Sequence, residues 1–260
     1  MHMAMVDVDQ FSTFASELAQ TVIAMLAGTR RQFEVDIKQD DTLVTSVDIA
    51  IEQALRARIE SRYPEHGIIG EELPPGNPGA HWTWVIDPID GTLHFAAGLP
   101  NYGSLVALCH HGVPQLGIIC QPELNDVYLG ISGRGCWHNG APARTAALTL
   151  ADSILSISDP DGFDGATRPG MERLRGASKW NVFDGGCLSF AALATGRIGV
   201  SVYAPNVENV DTCALVPVVE GAGGVVTDWQ GEPVTIDSKG EIVASASRRL
   251  HDEVLALLNH

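Results

Sequence analysis

The run Trp84-Val85-Ile86-Asp87-Pro88-Ile89-Asp90-Gly91-Thr92 limits what this chain can fold into more than any other stretch. An apolar, β-rich segment bounded by Gly, Pro and Asp reads as a buried strand, and this one empties into two carboxylates three residues apart. Pro88 fixes the bend between them. Two aspartates brought to one point repel each other unless something cationic sits between them, and hard oxygen ligands of this kind suit Mg²⁺ or Mn²⁺. Strand ends are also where α/β sheets bind ligands. Gly91 and Thr92 then supply backbone N–H groups and a hydroxyl at a helix start, an arrangement that holds phosphate oxygens. Alone, Asp-Pro and Asp-Gly are turn dipeptides and an aspartate is an ordinary helix cap. Company shifts that balance: Gly70-Glu71-Glu72 follows the apolar Ile68-Ile69 and puts another carboxylate at a second strand end.

The rest of the chain alternates helix and strand. Phe11, Phe14, Leu18, Val22 and Met25 recur at helical spacing over 7–27, with Gly28 as the stop. The polar stretch FEVDIKQDDTLVTS is short enough for a β-ribbon or an ordered loop. Val47, Ile51, Leu55 and Ile59 mark a second helix ending before Pro64. Three apolar runs over 103–131 predict an antiparallel meander, and Asn139-Gly140 a tight turn. Residues 159–176, rich in Asp, Gly, Pro and Arg, predict a mobile surface segment. Beyond them, CLSFAALATG and TCALVPVVEGAG read as helices, IGVSVY, GVVTDW and EIVASA as strands, and RRLHDEVLALL as a last helix with His251 on its polar side. That rhythm implies layers of helix on sheet, in one compact unit with two lobes, about 1–145 and 146–260, meeting at a cleft.

With 32 Asp+Glu against 16 Lys+Arg, the net charge of −16 disfavours nucleic acid and anionic lipid, which Lys and Arg must hold. No apolar run reaches the ~18–20 residues of a membrane span, and MHMAMVDVDQ lacks the basic-then-apolar pattern of a secretory leader. Five cysteines with no C-x-x-C fit reduced thiols in a cytoplasm better than a disulfide framework or zinc site.

The motifs, in order, resemble the inositol monophosphatase family of metal-dependent phosphomonoesterases. Lys38 and Val44-Thr45-Ser46-Val47-Asp48 come first, then G-E-E at 70–72 and D-P-I-D-G-T at 87–92 with Phe95 and Pro100. N-V-D at 209–211 then leads into E-G-A-G-G at 220–224. D-P-I-D-G-T is specific to the family; the others are weak singly and strong in series. The resemblance implies an α/β fold, a layered α-β-α-β-α sandwich of the inositol monophosphatase/fructose-1,6-bisphosphatase type, usually a homodimer, acting on a small phosphorylated metabolite. It implies Glu71, Asp87, Asp90 and Asp211 as side-chain ligands of two to three Mg²⁺ ions (Mn²⁺ as substitute), with Asp87 bridging and Ile89 giving a backbone carbonyl. Thr92, oriented by Asp48, and Glu71 are implied to position and activate the attacking water, and Gly91 and Thr92 N–H groups to hold phosphate. Asp211 also reads as the N-cap of the following helix.

Substrate selection departs from the family. Ala204 stands where members commonly carry a Glu, and Gly185-Gly186-Cys187 where histidinol-phosphate phosphatases carry G-G-D-C. Yet residues 217–231 and 117–122 look most like that branch, and Asp184 or Glu208 could compensate. His94 replaces a frequent Asn. The leading expectation is therefore a Mg²⁺-dependent phosphatase for inositol 1-phosphate or a similar polyol phosphate, with histidinol phosphate as the alternative substrate. A catalytically silent binding or regulatory homologue is the non-enzyme alternative.

Overall fold

The computed structural model describes residues 8–27, 33–38, 43–205 and 207–259. Helix α1 (Asp9–Leu26) buries Phe11, Phe14, Leu18 and Val22 along one stripe, as expected of a helix with a single partner face; Gly28 lies outside the described residues. The polar stretch is a ribbon in which β1 (Val35–Ile37) pairs antiparallel with β2 (Leu43–Thr45). Helix α2 (Ser46–Arg62) starts from a capping box between Thr45 and Asp48 and buries Val47, Ile51, Leu55 and Ile59.

Seven strands in chain order form the larger sheet: β3 (Gly67–Gly70), β4 (Trp82–Asp90), β5 (Gly103–His110), β6 (Val113–Gln121), β7 (Asp126–Ile131), β8 (Gly135–His138) and β9 (Ala141–Ala143). The pair β3–β4 is parallel and the rest are antiparallel, including the expected meander. The short helix α3 (Thr92–Ala96) sits between β4 and β5. Asn139 and Gly140 both take positive φ in the β8–β9 turn, as a two-residue hairpin requires.

The second half carries β10 (Ile154–Ile157), α4 (Arg168–Ala177), β11 (Trp180–Phe183), α5 (Gly186–Ala194) and β12 (Val200–Tyr203). It continues with α6 (Asn209–Thr212), α7 (Leu215–Gly221), β13 (Val225–Asp228), β14 (Ile242–Ser245) and α8 (Arg248–Asn259). Its sheet runs β11-β10-β12-β14-β13, with β10 parallel to both neighbours.

Five layers result. Helices α1 and α2 cover one face of the larger sheet, α5 and α7 lie between the two sheets, and α4 and α8 close the far side. Three cores fill the spaces between the layers, the middle one covering both sides of α5 and α7. Leu18, Ile51, Trp84 and Ile118 belong to the first, Phe190, Leu215 and Val218 to the middle one, and Leu155, Leu174, Val243 and Val254 to the last. The middle layer is pressed close. A Cβ on Gly117 would stand 2.1 Å from the Ala214 carbonyl oxygen, and one on Gly130 2.2 Å from that of Pro217, so only glycine lets β6 and β7 pass beneath α7. All five cysteines are buried free thiols. Among the described residues no helix is long and apolar enough to cross a membrane.

Three sequence expectations are corrected. Within 159–176 the chain forms α4 over its second part, because Met171 and Leu174 turn to one side and bury against α8. The run 212–223 is helical as α7 only from Leu215 to Gly221, and the short α6 before it ends at Thr212. His251 is fully buried, its ring bonded to Thr227 at 2.8 Å and Ser245 at 3.2 Å, so α8 turns that position inward.

Candidate metal and phosphate site

Side chains of a regular strand alternate faces, so residues three apart point opposite ways. Strand β4 evades this with a bulge: Asp87 pairs with Leu105 and Asp90 with Gly103, three residues against two. Pro88, with no N–H to give a ladder, sits inside the irregularity, and its carbonyl accepts a short hydrogen bond from Ser104. The extra residue turns Ile89 into the core beneath α1 and α2, beside Ile86. Asp87 and Asp90 are thereby left on the same face.

The third carboxylate comes from across the molecule. Asp211 is the third residue of α6 rather than its N-cap, which is Glu208; its Oδ2 accepts the Glu208 N–H at 2.7 Å. Asp87, Asp90 and Asp211 each bring an oxygen within 4.8 Å of the others. Asp90 is held from behind by the Cys187 N–H, 2.7 Å from its Oδ2, at the start of α5. That contact needs Gly186, which takes φ +50° and whose Cβ would lie 2.8 Å from the same oxygen.

Crowding shows in the protonation. Burial raises Asp87 well above the usual carboxylate range, with Glu71, Asp90 and Asp211 adding to the effect. Burial also raises Asp90, against the opposing Cys187 hydrogen bond. Burial lifts Asp211 to about 7, opposed by the Glu208 N–H and helped by Asp90 and Glu71. Among the described residues Asp87 Oδ1 is buried without a partner. An all-oxygen set with an orphaned carboxylate oxygen fits a small hard divalent cation, and so does the Ile89 carbonyl, an oxygen with two lone pairs that accepts the Thr92 hydroxyl at 3.0 Å.

Glu71 follows β3 but is turned elsewhere: its Oε1 lies 2.8 Å from Lys38 Nζ, which also holds Glu72 at 2.7 Å. Burial pulls the Lys38 ammonium down, but its bonds to the two glutamates outweigh this and keep it protonated. The expected orientation of Thr92 by Asp48 is also corrected. Asp48 Oδ2 takes the Thr45 N–H and hydroxyl, while the single Thr92 proton goes to Ile89; a capping box engages that one Asp48 oxygen locally. Its Oδ1 is buried and unpartnered. Gly91, at φ +89°, caps α3.

Beside the carboxylates opens a cleft of about 210 Å³. Asp90, Gly91, His94 and Asn101 line one wall; Ser158, Asp159, Asp184, Gly186, Tyr203, Val207 and Asp211 line the other. Gly185 precedes Gly186 as the N-cap of α5. Ala204 is fully buried and presents no polar side chain there. Glu208 is drawn outward to Lys239 at 3.4 Å. A larger hollow of about 730 Å³ lies on the outer side of α1, but its charged lining is the half-exposed Arg58–Glu17 pair at 3.3 Å, and no carboxylates converge there.

Two contributors escaped the sequence reading. The Cys187 N–H is a backbone group and leaves no residue-type signal. Glu52 is fully buried and accepts the Glu72 N–H at 2.8 Å, the Leu73 N–H at 3.2 Å and Arg56 Nε at 2.7 Å, so it holds the turn that carries Glu71. A Glu-Arg pair four apart on the inward side of α2 was its visible trace.

A five-layered sandwich with clustered carboxylates at a bulged strand end is the build of a metal-dependent phosphoric monoester hydrolase. The chain belongs to the inositol monophosphatase family, whose sequence model matches residues 7–260. It is 34% identical over 218 residues to a histidinol-phosphatase of Chlorobaculum parvum, covering 83% of this chain and 84% of that protein. It is 32% identical over 256 residues to the inositol-1-monophosphatase ImpA of Mycolicibacterium smegmatis, covering 95% and 91%. An inositol monophosphatase structure from Zymomonas mobilis superposes with a TM-score of 0.86 at 31% identity, covering 98% of this chain and 99% of the other. The family is metal-dependent.

Proposed function

We propose that this chain hydrolyses a small phosphate monoester with Mg²⁺, and the observation that carries this reading is the convergence of Asp87, Asp90 and Asp211. Those three and the Ile89 carbonyl would hold the cation, in two to three ions with Mn²⁺ as a substitute. Bound Mg²⁺ supplies charge neutralisation for the phosphate dianion and the departing alkoxide, and acidity to water. The chain's own groups do the rest. Gly91 and Thr92 N–H groups meet phosphate oxygens, the Thr92 hydroxyl and Glu71 orient the attacking water, and the Cys187 N–H keeps Asp90 aimed. Glu71 reaches that role by exchanging Lys38 for the site.

Among the described residues the cleft lining holds no Lys or Arg, so a second phosphate has no counter-charge there, and bisphosphates are poor candidates. Between the two monoesters, inositol 1-phosphate is supported by the family at large. Histidinol phosphate is supported by Asp184, the carboxylate left in the lining once Asp90 and Asp211 are committed to metal and Asp159 caps its own turn. The non-catalytic reading is disfavoured because each expected carboxylate is present. A homodimer belongs to the same proposal, with Trp180, Val182 and Phe183 exposed along edge strand β11 as the surface two copies would share; light scattering reads it directly.

The test is phosphate release from inositol 1-phosphate, histidinol phosphate, fructose 1,6-bisphosphate and adenosine 3′,5′-bisphosphate, each with Mg²⁺ and with EDTA. Turnover of a monoester that stops in EDTA is the expected result. Silence on the whole panel in Mg²⁺ counts against the proposal.

A further inference from the structure

We propose that Asp184 is the specificity-determining residue of the cleft, and that it selects a phosphomonoester whose leaving alcohol carries an ammonium group. This rests on the phosphatase reading above and narrows its substrate class.

The charge of the cleft comes first. Among the described residues its side chains include four carboxylates and no permanent cation. Asp90 and Asp211 belong to the metal cluster. Asp159 is occupied as the cap of its own turn, accepting the Asp161 N–H at 2.9 Å. Asp184 remains as the acidic group able to face a leaving group.

Asp184 is also built into place. It is a non-glycine residue at φ +57°, a conformation that Asp tolerates better than most. Its N–H donates to the Ile157 carbonyl at 2.8 Å, and its own carbonyl accepts Asn101 Nδ2 at 2.5 Å. Its Oδ2 lies 3.1 Å from His94 Nε2. His94 and Asn101 stand on the opposite wall, so the carboxylate is held across the cleft while its side chain stays 55% exposed. His94 acts here as a positioning residue.

A second feature points to a ligand in the same space. Tyr203 lines the cleft, and its hydroxyl is buried and has no partner among the described residues. A buried hydroxyl without a bond costs free energy unless something completes it, and an alcohol or amine donor on the leaving group would do so. Gly186 adds no side-chain bulk or charge to the lining, which leaves room for the ammonium group at Asp184.

The experiment compares kcat/KM for histidinol phosphate and inositol 1-phosphate in the full-length protein and in Asp184→Asn. Asparagine suits positive φ at least as well as aspartate, so this variant should fold, which its melting temperature checks. The wild type is expected to prefer histidinol phosphate, and Asp184→Asn to cut the ratio of the two kcat/KM values by about 30-fold, mainly through KM for the amine substrate, as loss of a charged hydrogen bond would. An unchanged ratio, or equal losses on both substrates, overturns the proposal. A wild type that turns over only inositol 1-phosphate overturns it too and leaves the phosphatase reading standing. A wild type silent on both, with Mg²⁺ present, removes both together.

Discussion

At the scale of single residues, the site is a set of carboxylates kept close by backbone donors rather than by cations. Asp90 is bonded by the Cys187 N–H and Asp211 by the Glu208 N–H. Asp90→Asn should therefore abolish turnover, by more than about 100-fold, above the usual cost of disturbing a ligand's supports. Its melting temperature should hold, since removing one of three crowded charges relieves repulsion; phosphate release and thermal denaturation check the two halves. Protons compete for the same oxygens. Asp211 has its proton affinity lifted to about 7 by burial and neighbouring carboxylates, so a cation must displace a proton below that pH. Mg²⁺ affinity measured by calorimetry should weaken as pH falls through 7 toward 5, approaching tenfold per unit for one proton displaced. Glu52 works one step further out, and Glu52→Ala would strip Arg56, Glu72 and Leu73 of their buried acceptor. Loss of about 3–5 kcal/mol in urea denaturation is expected, as for breaking a buried pair from one side.

At the scale of elements, β4 and α8 show what a linear pattern conveys and what it hides. The strand over 82–86 and its acidic end were legible, because alternation, Pro and Gly all punctuate it. The bulge was not: it depends on β5 offering two residues against three, a property of the pair. Likewise 159–176 reads as loop from its Gly, Pro and Asp, yet Met171 and Leu174 find α8 and form a helix. Strands β10 and β11 stayed unmarked, their runs broken by Ser156 and Asn181. His251 reads as surface from its charged neighbours and is core in the fold. Burial, with Arg248 adding to it and Asp252 opposing, lowers it to about 4. Its folded-state affinity for a proton is depressed, so the unfolded chain binds the proton first. The stability it contributes is complete above about pH 6.5 and is lost as pH falls from there to about 4, about 3 kcal/mol in all. A neutral polar replacement, His251→Gln, should show less of this slope when urea midpoints are followed across that window.

At the scale of the whole molecule, the carboxylates come from distant parts of the chain. Asp87 and Asp90 ride on the larger sheet and Asp211 on α6, while the Asp90 clamp belongs to α5. A cation binding all three stabilises the assembled arrangement and not the unfolded chain. At 100 times its Kd it should add about 2.7 kcal/mol, read as a fall in melting temperature on adding EDTA and its recovery with Mg²⁺. The family fold was legible from motif order. Cross-chain pairings such as Asp90 with Cys187, or Asp184 with His94, join residues 97 and 90 positions apart and had no local signature.

The tight seating of α7 bears on how this enzyme could change its chemistry over generations. With main-chain oxygens of Ala214 and Pro217 resting where Cβ atoms of Gly117 and Gly130 would be, the distance between sheet and helix has no side-chain shim that mutation could thicken or thin. Gly117→Ala should cost about 1–3 kcal/mol or more, measurable by urea unfolding. The acidic floor therefore sits at a height that drift cannot adjust gradually. New preferences must come from the rim, at positions such as 184, where a half-exposed side chain can be exchanged without moving the floor. A lineage built this way can diversify its alcohol while inheriting its phosphate chemistry unaltered.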